Sequence, residues 1–464
     1  MAVSGLTADS REVKPGYVFA ALPGTIVNGA SFIRNAVAAG AVAIVAPNGI
    51  TASVPVIASD NPRRLFALMA ARFFGAQPDL VVAVTGTNGK TSVAAFVREI
   101  WTSMGFRAAS IGTVGVIGPS GTLELAHTTP DPVKLHEIVA GLAADRVQHL
   151  AIEASSHGLS QYRLDGLRIA AAAFTNLTRD HLDYHASFED YFNAKMRLFE
   201  ELLPRGAPVV INADAPEASD IERRAAARGL KVLTVGERGK DVKLLSAARE
   251  GFGQRLDVKA PSRRHSVLLP LVGDFQASNA LVAAGLVIAT GGEEELVFHA
   301  LESLKGAKGR LDLVTKARNG APIFVDYAHT PDALENALFA LRPYVGGKLH
   351  VVFGCGGDRD KGKRPLMGAV AISFADRCYV TDDNPRTEEP AAIRGEIMAA
   401  APGAVEIGSR AEAIRAAVDA MGAGDVLLVA GKGHEEGQKI GKTVIPFSDH
   451  DAVKAAVAGI DYRG

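Results

Sequence analysis

Leu80-Val81-Val82-Ala83-Val84-Thr85-Gly86-Thr87-Asn88-Gly89-Lys90-Thr91-Ser92 is the stretch that decides the fold. Residues 80–85 form an apolar run of strand length, as expected of a strand buried on both faces of a sheet. Two glycines then mark a turn, and from Thr91 to about Met104 the pattern turns helical. A strand, a glycine turn and a helix in that order aim backbone N–H groups and the helix N-terminus at a phosphate. Lys90 supplies a point charge for terminal phosphates, and the Thr91 hydroxyl suits Mg²⁺. Val84 stands where the literal P-loop pattern has its first glycine. The strand–loop–helix context around Gly-Lys-Thr therefore carries the nucleotide-binding reading, against a glycine turn that merely precedes a lysine.

Outward from this point, helical and strand patterns alternate almost throughout, the signature of α/β domains. Upstream, residues 17–22 and 42–45 read as strands, with an Ala-rich helix near 32–39 and an amphipathic helix over 62–75. Gln77-Pro78-Asp79 marks a first boundary. Downstream, strands are expected at 150–153, 171–174 and 209–212. Near 306–310 a helical pattern gives way to a strand pattern running through 323–326, a second boundary. Residues 349–353, 377–381 and 426–430 read as further strands separated by helices.

The chain has 464 residues, about three domains' worth. Hydrophobic residues at 48% and charged residues at 22% fit a globular protein with sizeable cores, and 48 Gly with 22 Pro exclude a collagen-like or disordered chain. A net charge of −1 gives no whole-molecule field to collect nucleic acid or anionic membrane. Two cysteines, Cys355 and Cys378, cannot build a disulfide framework or a zinc site and fit a reducing cytosol. The first residues lack a basic stretch followed by an apolar one, so no signal peptide is expected. No run approaches the roughly 18 apolar residues of a membrane span. A cytoplasmic protein with no nucleic-acid or membrane partner is the expectation.

Two further clusters follow expected strands. In Glu153-Ala154-Ser155-Ser156-His157-Gly158 a carboxylate leaves a buried strand at its C-terminal end, where α/β ligands sit. Alone it would read equally as a strand-end salt bridge. In Thr175-Asn176-Leu177-Thr178-Arg179-Asp180-His181-Leu182-Asp183 the polar groups crowd one loop, and Asp180, His181 and Asp183 make a plausible Mg²⁺ neighbourhood.

With Thr128-Thr129-Pro130-Asp131-Pro132 and Asn193-Ala194-Lys195-Met196-Arg197 added, these segments together resemble the Mur ligase family. Asp326-Tyr327-Ala328-His329-Thr330-Pro331, Gly356-Gly357-Asp358-Arg359-Asp360-Lys361-Gly362, Asp383-Asn384-Pro385-Arg386 and Gly431-Lys432-Gly433-His434-Glu435 narrow the likeness. They are similar to the members that add the third peptide residue to the precursor UDP-N-acetylmuramoyl-L-alanyl-D-glutamate. The matches run from about Ser10 to Glu435.

The resemblance implies three α/β domains: a small UDP-binding domain over 1–79, a central P-loop ATPase domain over 80–309, and a Rossmann-like amino-acid-binding domain over 310–464. It implies an ATP-dependent ligase acting through an acyl phosphate in peptidoglycan precursor synthesis, with meso-2,6-diaminopimelate as the incoming amino acid and a monomer as the working form. ATP would contact Gly86, Thr87, Asn88, Gly89, Lys90, Thr91, Ser92, Asn279, Arg310 and Asp326. Thr91 and Glu153 would hold one Mg²⁺; His181 and a carbamylated Lys195 would serve a second, and Lys90 completes the catalytic set. Without the resemblance, Lys195 would read as an exposed helical lysine.

The UDP-sugar-dipeptide would meet Ser10, Thr25, Ile26, Val27, Thr128, Thr129, Ser155, Gln161 and Arg163. His127 and the apolar Thr25-Ile26-Val27 depart from the usual pattern there. Diaminopimelate would meet Arg359, Asp383, Asn384, Pro385, Arg386, Gly431 and Glu435. Arg386 would take the distal carboxylate and Glu435 the distal ammonium; the alternative for Arg386 is a surface pair with Glu388 or Glu389. A folylpolyglutamate synthetase or a recycling ligase is the runner-up, and the Asp-Asn-Pro-Arg segment weighs against the former. A non-catalytic nucleotide-binding scaffold would have no use for Lys90, Glu153, His181 and Lys195 together.

Overall fold

The computed structural model describes residues 3–24, 28–178 and 184–462. Three sheets dominate. The first has four parallel strands in sequence order, Gly5–Thr7, Tyr17–Ala20, Ala43–Ala46 and Val56–Ala58. Its helix Pro62–Phe74 starts on Asn61, whose side chain accepts from the Arg64 N–H, and has Pro62 in its first turn, where a missing N–H costs nothing. Gly75, at φ 74°, ends it.

The second sheet is built around Leu80–Thr85, hydrogen-bonded in parallel to Ile169–Phe174 on one side and His149–Glu153 on the other. Val81, Val82, Ala83 and Val84 are wholly buried, the outcome a two-sided apolar run requires. Beyond His149–Glu153 lies Ala108–Gly112, also parallel. Pro208–Asn212 and Lys231–Gly236 extend the opposite side. The third sheet has six strands. Pro322–Asp326, Val426–Ala430, Leu349–Phe353, Arg377–Val380 and Val405–Glu406 run parallel in that spatial order, with Asp312–Lys316 antiparallel at one edge.

By packing, the chain forms two compact units. One comprises residues 1–246, 257–267 and 278–301 and includes the first sheet and the P-loop strand; the other comprises 247–256, 268–277 and 302–464. In the second, Arg410 and Asp449 form a fully buried ion pair, closed by two hydrogen bonds of 2.7 Å. Removing either partner would strand a buried charge.

The sequence-derived strands 349–353 and 426–430 are found residue for residue. Those expected at 17–22 and 377–381 end earlier, at Ala20 and Val380, where the ladder stops. No helix among the described residues is long and apolar enough to cross a membrane.

Candidate active site

The P-loop strand ends on Thr85, whose hydroxyl donates to the Ala154 carbonyl of the neighbouring connection at 2.8 Å. Gly86 follows at φ 144°, and a Cβ there would sit 2.0 Å from Thr175 Oγ1. Gly89, at φ 83°, caps the helix Lys90–Ser103; a Cβ on it would reach 2.3 Å from Asn279 Oδ1. Both positions therefore require glycine. The loop is propped by its neighbour: Thr87 N–H donates to Asn176 O, Asn88 N–H to Asn176 Oδ1, and Thr175 Oγ1 to Asn88 O at 2.6 Å.

Two lysines converge here. Lys90 Nζ donates to Gly86 O at 2.9 Å and Thr87 O at 2.7 Å, and Lys195 Nζ donates to the same Gly86 O at 2.7 Å. Lys195 is only 1% exposed, so the exposed-lysine alternative is wrong. Its helix Phe188–Arg197 turns it inward, with Tyr191 one turn earlier placing its ring 4.2 Å beneath the ammonium. The Tyr191 hydroxyl is hydrogen-bonded to Thr87 Oγ1 at 3.0 Å, tying that helix to the P-loop.

Glu153 ends its strand 1% exposed. Its Oε2 accepts from Thr91 Oγ1 and Thr113 Oγ1, both at 3.1 Å, and its Oε1 from Thr113 N–H at 2.8 Å. Gly112 leaves the room; a Cβ there would lie 1.9 Å from Oε1. Thr91 and Glu153 thus form an all-oxygen pair beside the P-loop, the donor type Mg²⁺ takes from proteins when phosphates and water complete its shell. Among the described residues no cluster of three His, Cys, Asp or Glu could hold a metal unaided.

On the far side of the same strand end, Thr129 Oγ1 donates to Glu153 O at 2.9 Å and is hydrogen-bonded to Ser155 Oγ at 2.9 Å. Thr128 Oγ1 joins the row through Thr113 Oγ1 at 3.1 Å. Arg163 donates to Thr129 O at 2.7 Å and holds Gln161 Oε1, while Gln161 Nε2 donates to Tyr184 Oη at 3.1 Å. Burial lowers the Arg163 pKa, with Asp131 opposing the shift. Ser10 is half-exposed, in a turn between the first two strands of the first sheet. Thr25, Ile26, Val27, Asp180, His181 and Asp183 lie outside the described residues.

In the second unit, Asp326 accepts from Leu311 N–H and Ala328 N–H, each at 2.7 Å; burial raises its pKa, with the Arg310 charge opposing. Arg310 lies over the Tyr327 ring at 5.0 Å, with Nε buried. Asn279, on the helix Asp274–Ala289, belongs instead to the first unit and is buried against Gly89 there.

The Asp383-Asn384-Pro385-Arg386 segment is held by side chains. Asn384 Nδ2 donates to Glu435 Oε2 at 2.8 Å, and its Oδ1 accepts from Lys432 Nζ and Lys439 N–H. Lys432, fully buried, also donates to Glu435 Oε2 at 3.0 Å and Gly437 O at 2.6 Å. Glu435, expected to await an ammonium, therefore already has one oxygen engaged. Asp383 faces Gly431, whose missing Cβ would come 2.7 Å from Oδ2.

Arg386 holds a left-handed φ of 51°; its N–H donates to Lys439 O and its Nη1 to Gly357 O at 2.7 Å. The surface pairing of Arg386 with Glu388 or Glu389 does not occur. Glu388 is taken by Arg364 and Lys361 instead, and the Arg364 bond leads in holding its carboxyl down at about 2. Arg359 is exposed on the adjoining loop.

Sequence reasoning missed Thr113, Tyr191 and Lys432. Tyr191 could have been found from its i, i+4 spacing to Lys195, and Lys432 from the quoted Gly-Lys-Gly-His-Glu. Nothing local singles out Thr113.

Three family models match along the chain: "Mur ligase family, catalytic domain" over residues 2–73, "Mur ligase middle domain" over 84–287, and "Mur ligase, glutamate ligase domain" over 309–433. The chain is 56% identical to the UDP-N-acetylmuramoyl-L-alanyl-D-glutamate–2,6-diaminopimelate ligase of Bradyrhizobium diazoefficiens, covering 98% of this chain and 95% of that protein. It is 55% identical to the protein of the same name from Mesorhizobium japonicum, with the same coverage. A solved structure of a ligase of that name is 33% identical with a TM-score of 0.73, covering 98% of this chain and 95% of that one. The motifs in order, the P-loop beside Glu153, and matches over nearly the full length lead to one conclusion: the chain belongs to the Mur ligase family.

Proposed function

We infer that this chain is an ATP-dependent amide-bond ligase adding meso-2,6-diaminopimelate to UDP-N-acetylmuramoyl-L-alanyl-D-glutamate, in cytoplasmic synthesis of the peptidoglycan precursor. The observation that carries the chemistry is the meeting of the Lys90-Thr91 P-loop with Glu153 and Lys195 at the C-terminal ends of parallel strands.

The acceptor carboxylate attacks the γ-phosphorus of ATP, giving an acyl phosphate and ADP. The amine of diaminopimelate then attacks the acyl carbon, the amide forms, and phosphate leaves with the bond electrons. Lys90 lies at the P-loop to spread charge on the transferring phosphoryl group. The helix behind it presents its N-terminus to the phosphates.

Thr91 and Glu153 would hold one Mg²⁺, with His181 and a carbamylated Lys195 at a second; these ions supply charge neutralisation on phosphate oxygens. Carbamylation would turn Lys195 from a cation into an oxygen donor.

Asn279, Arg310 and Asp326 are assigned to the nucleotide base and ribose. Ser10, Thr25, Ile26, Val27, Thr128, Thr129, Ser155, Gln161 and Arg163 are assigned to the UDP-sugar-dipeptide. Arg359, Asp383, Asn384, Pro385, Arg386, Gly431 and Glu435 are assigned to diaminopimelate. We retain the domain limits 1–79, 80–309 and 310–464 and a monomeric enzyme as part of the same proposal. Phosphate release from ATP tests it: release should require the muramoyl dipeptide and diaminopimelate together. Release independent of either, or with L-lysine equally, would refute it.

A further inference from the structure

The segment Asn193-Ala194-Lys195-Met196-Arg197 ends on an arginine to which the reaction gives no role. Arg197 lies two residues beyond Lys195 on the helix Phe188–Arg197, and it is buried. Its guanidinium points to the loop at 159–165. Nη2 donates to both carboxylate oxygens of Asp165, each at 2.7 Å. Nη1 donates to Leu159 O at 2.9 Å, and Cζ lies 4.0 Å from the centroid of the Tyr162 ring. One side chain thus grips three points of one short loop.

That loop needs holding. Tyr162 has φ 58°, the left-handed region that an aromatic residue occupies only when its surroundings over-determine it. Its two neighbours are Gln161 and Arg163, joined by Arg163 Nε and Nη2 on Gln161 Oε1 at 3.2 and 2.8 Å. The backbone direction at Tyr162 therefore sets where both side chains point. Asp165 also accepts from Arg64 Nε at 3.1 Å, an arginine of the helix Pro62–Phe74. Gly166 makes the approach of that helix possible, since a Cβ there would come 2.4 Å from Ala71 Cβ.

We propose that Arg197 is a positioning residue for the UDP-sugar-dipeptide: by clamping residues 159–165 it presents Arg163 and Gln161 to the anionic and carbonyl oxygens of that substrate. The inference rests on the substrate assignment above and adds the residue that makes its loop competent. A mere structural ion pair would affect stability and all substrates alike.

The experiment compares wild type, Arg197→Ala, Arg197→Lys and Asp165→Asn. It measures KM for each of the three substrates, and amide hydrogen exchange over residues 158–167 in the ligand-free protein. In Arg197→Ala the KM for the UDP-sugar-dipeptide should rise about tenfold or more, while KM for ATP and diaminopimelate stays within about twofold. Exchange should quicken over 159–165, and Arg197→Lys, which keeps the charge, should recover part of both effects. If Arg197→Ala does not fold, the same split is read on Arg197→Lys and Asp165→Asn. Parallel rises in all three KM values, or a lower Tm with unchanged KM and exchange, would overturn the proposal. Failure of the wild type to use the UDP-sugar-dipeptide would instead refute the substrate assignment, and the exchange data would still report whether Arg197 holds the loop.

Discussion

The P-loop and the Asp383–Arg386 segment both follow buried parallel strands, yet they are built in different ways. The P-loop is a backbone device: two glycines with positive φ, carbonyls facing Lys90 and Lys195, and props from Thr175 and Asn176. The other segment is a side-chain device, centred on a buried lysine that spends its three donors on Asn384, Glu435 and Gly437. Within the segment the left-handed residue is Arg386 rather than a glycine, a strain of about 1–3 kcal/mol, while Gly431 and Gly433 take the positive φ on either side of Lys432. The difference follows from the ligands assigned to each end. A phosphate is recognised by converging N–H groups, which a glycine-bearing turn and a helix N-terminus present. Choosing between two amino acids that differ by one carboxylate needs a fixed cation, held by neighbours that cannot relax.

The largest effect should come from the backbone device. Lys90→Ala should lower kcat by roughly 10³–10⁵-fold, because the ammonium acts on charge developing in phosphoryl transfer. Lys90 donates to carbonyls of its own loop, and circular dichroism and Tm check that the variant is folded. Near-normal turnover in a folded variant would break the phosphate assignment.

Lys195 is the harder test, because the same side chain must be a cation at Gly86 O or a carbamate. Lys195→Ala should be nearly inactive and should recover partly with short carboxylic acids, which supply the missing oxygens. Glu at this position should retain some activity without CO₂. Rescue by amines and not by acids would contradict the carbamate.

Arg386→Ala sharpens the comparison at the other end. In the wild type, L-lysine would leave the Arg386 fork desolvated without a carboxylate, a mismatch that supports discrimination of roughly 10⁴-fold. The variant should lose most of that ratio of kcat/KM values, chiefly through poorer use of diaminopimelate. Unchanged selectivity would remove Arg386 from the site.

What could be read from the sequence divides along the same line. Leu80–Thr85, Leu349–Phe353 and Val426–Ala430 were legible to the residue because strands buried on both faces must be apolar throughout. Val242–Glu250 passed unnoticed because most of its side chains are exposed and no apolar run marks it. Motif residues such as Thr91 and Glu153 could be named, but their direct bond depends on Leu80–Thr85 and His149–Glu153 being neighbours in the sheet. Thr113 reaches Glu153 only because Ala108–Gly112 lies next to His149–Glu153, a pairing no local pattern specifies. Lys432 was hidden for the opposite reason. A lysine between two glycines reads as solvent-exposed, and only the folded turn shows its three acceptors.

The smallest effect is one of stability, and it separates the two ends by pH. Residues 84–92 contain no histidine and no carboxylate, whereas the 431–435 turn carries His434 beside Glu435. Burial holds His434 down from the ordinary 6.5 to about 4, and Arg310, Lys308 and His450 push the same way, with Glu435 alone opposing. The unfolded chain therefore takes up this proton near pH 6.5, while the folded chain refuses it until about pH 4. Between those values the unfolded state binds more protons, so stability rises with pH across the window. The contribution is complete above about 6.5, falls as the pH drops toward 4, and levels off below. It amounts to at most about 3 kcal/mol. His136, His149 and His329 are also lowered by burial and add to the same acid loss, so the whole protein's curve cannot assign it. Glu388 and Asp9, held at about 2, add theirs mostly at lower pH. The assignment comes from His434→Gln: urea midpoints from pH 7.5 to 4 should fall less steeply in the variant than in wild type, so that the variant's midpoint rises relative to the wild type's toward the acid end. Parallel curves would show that His434 titrates alike in both states, and the turn that carries Glu435 would then be open to water.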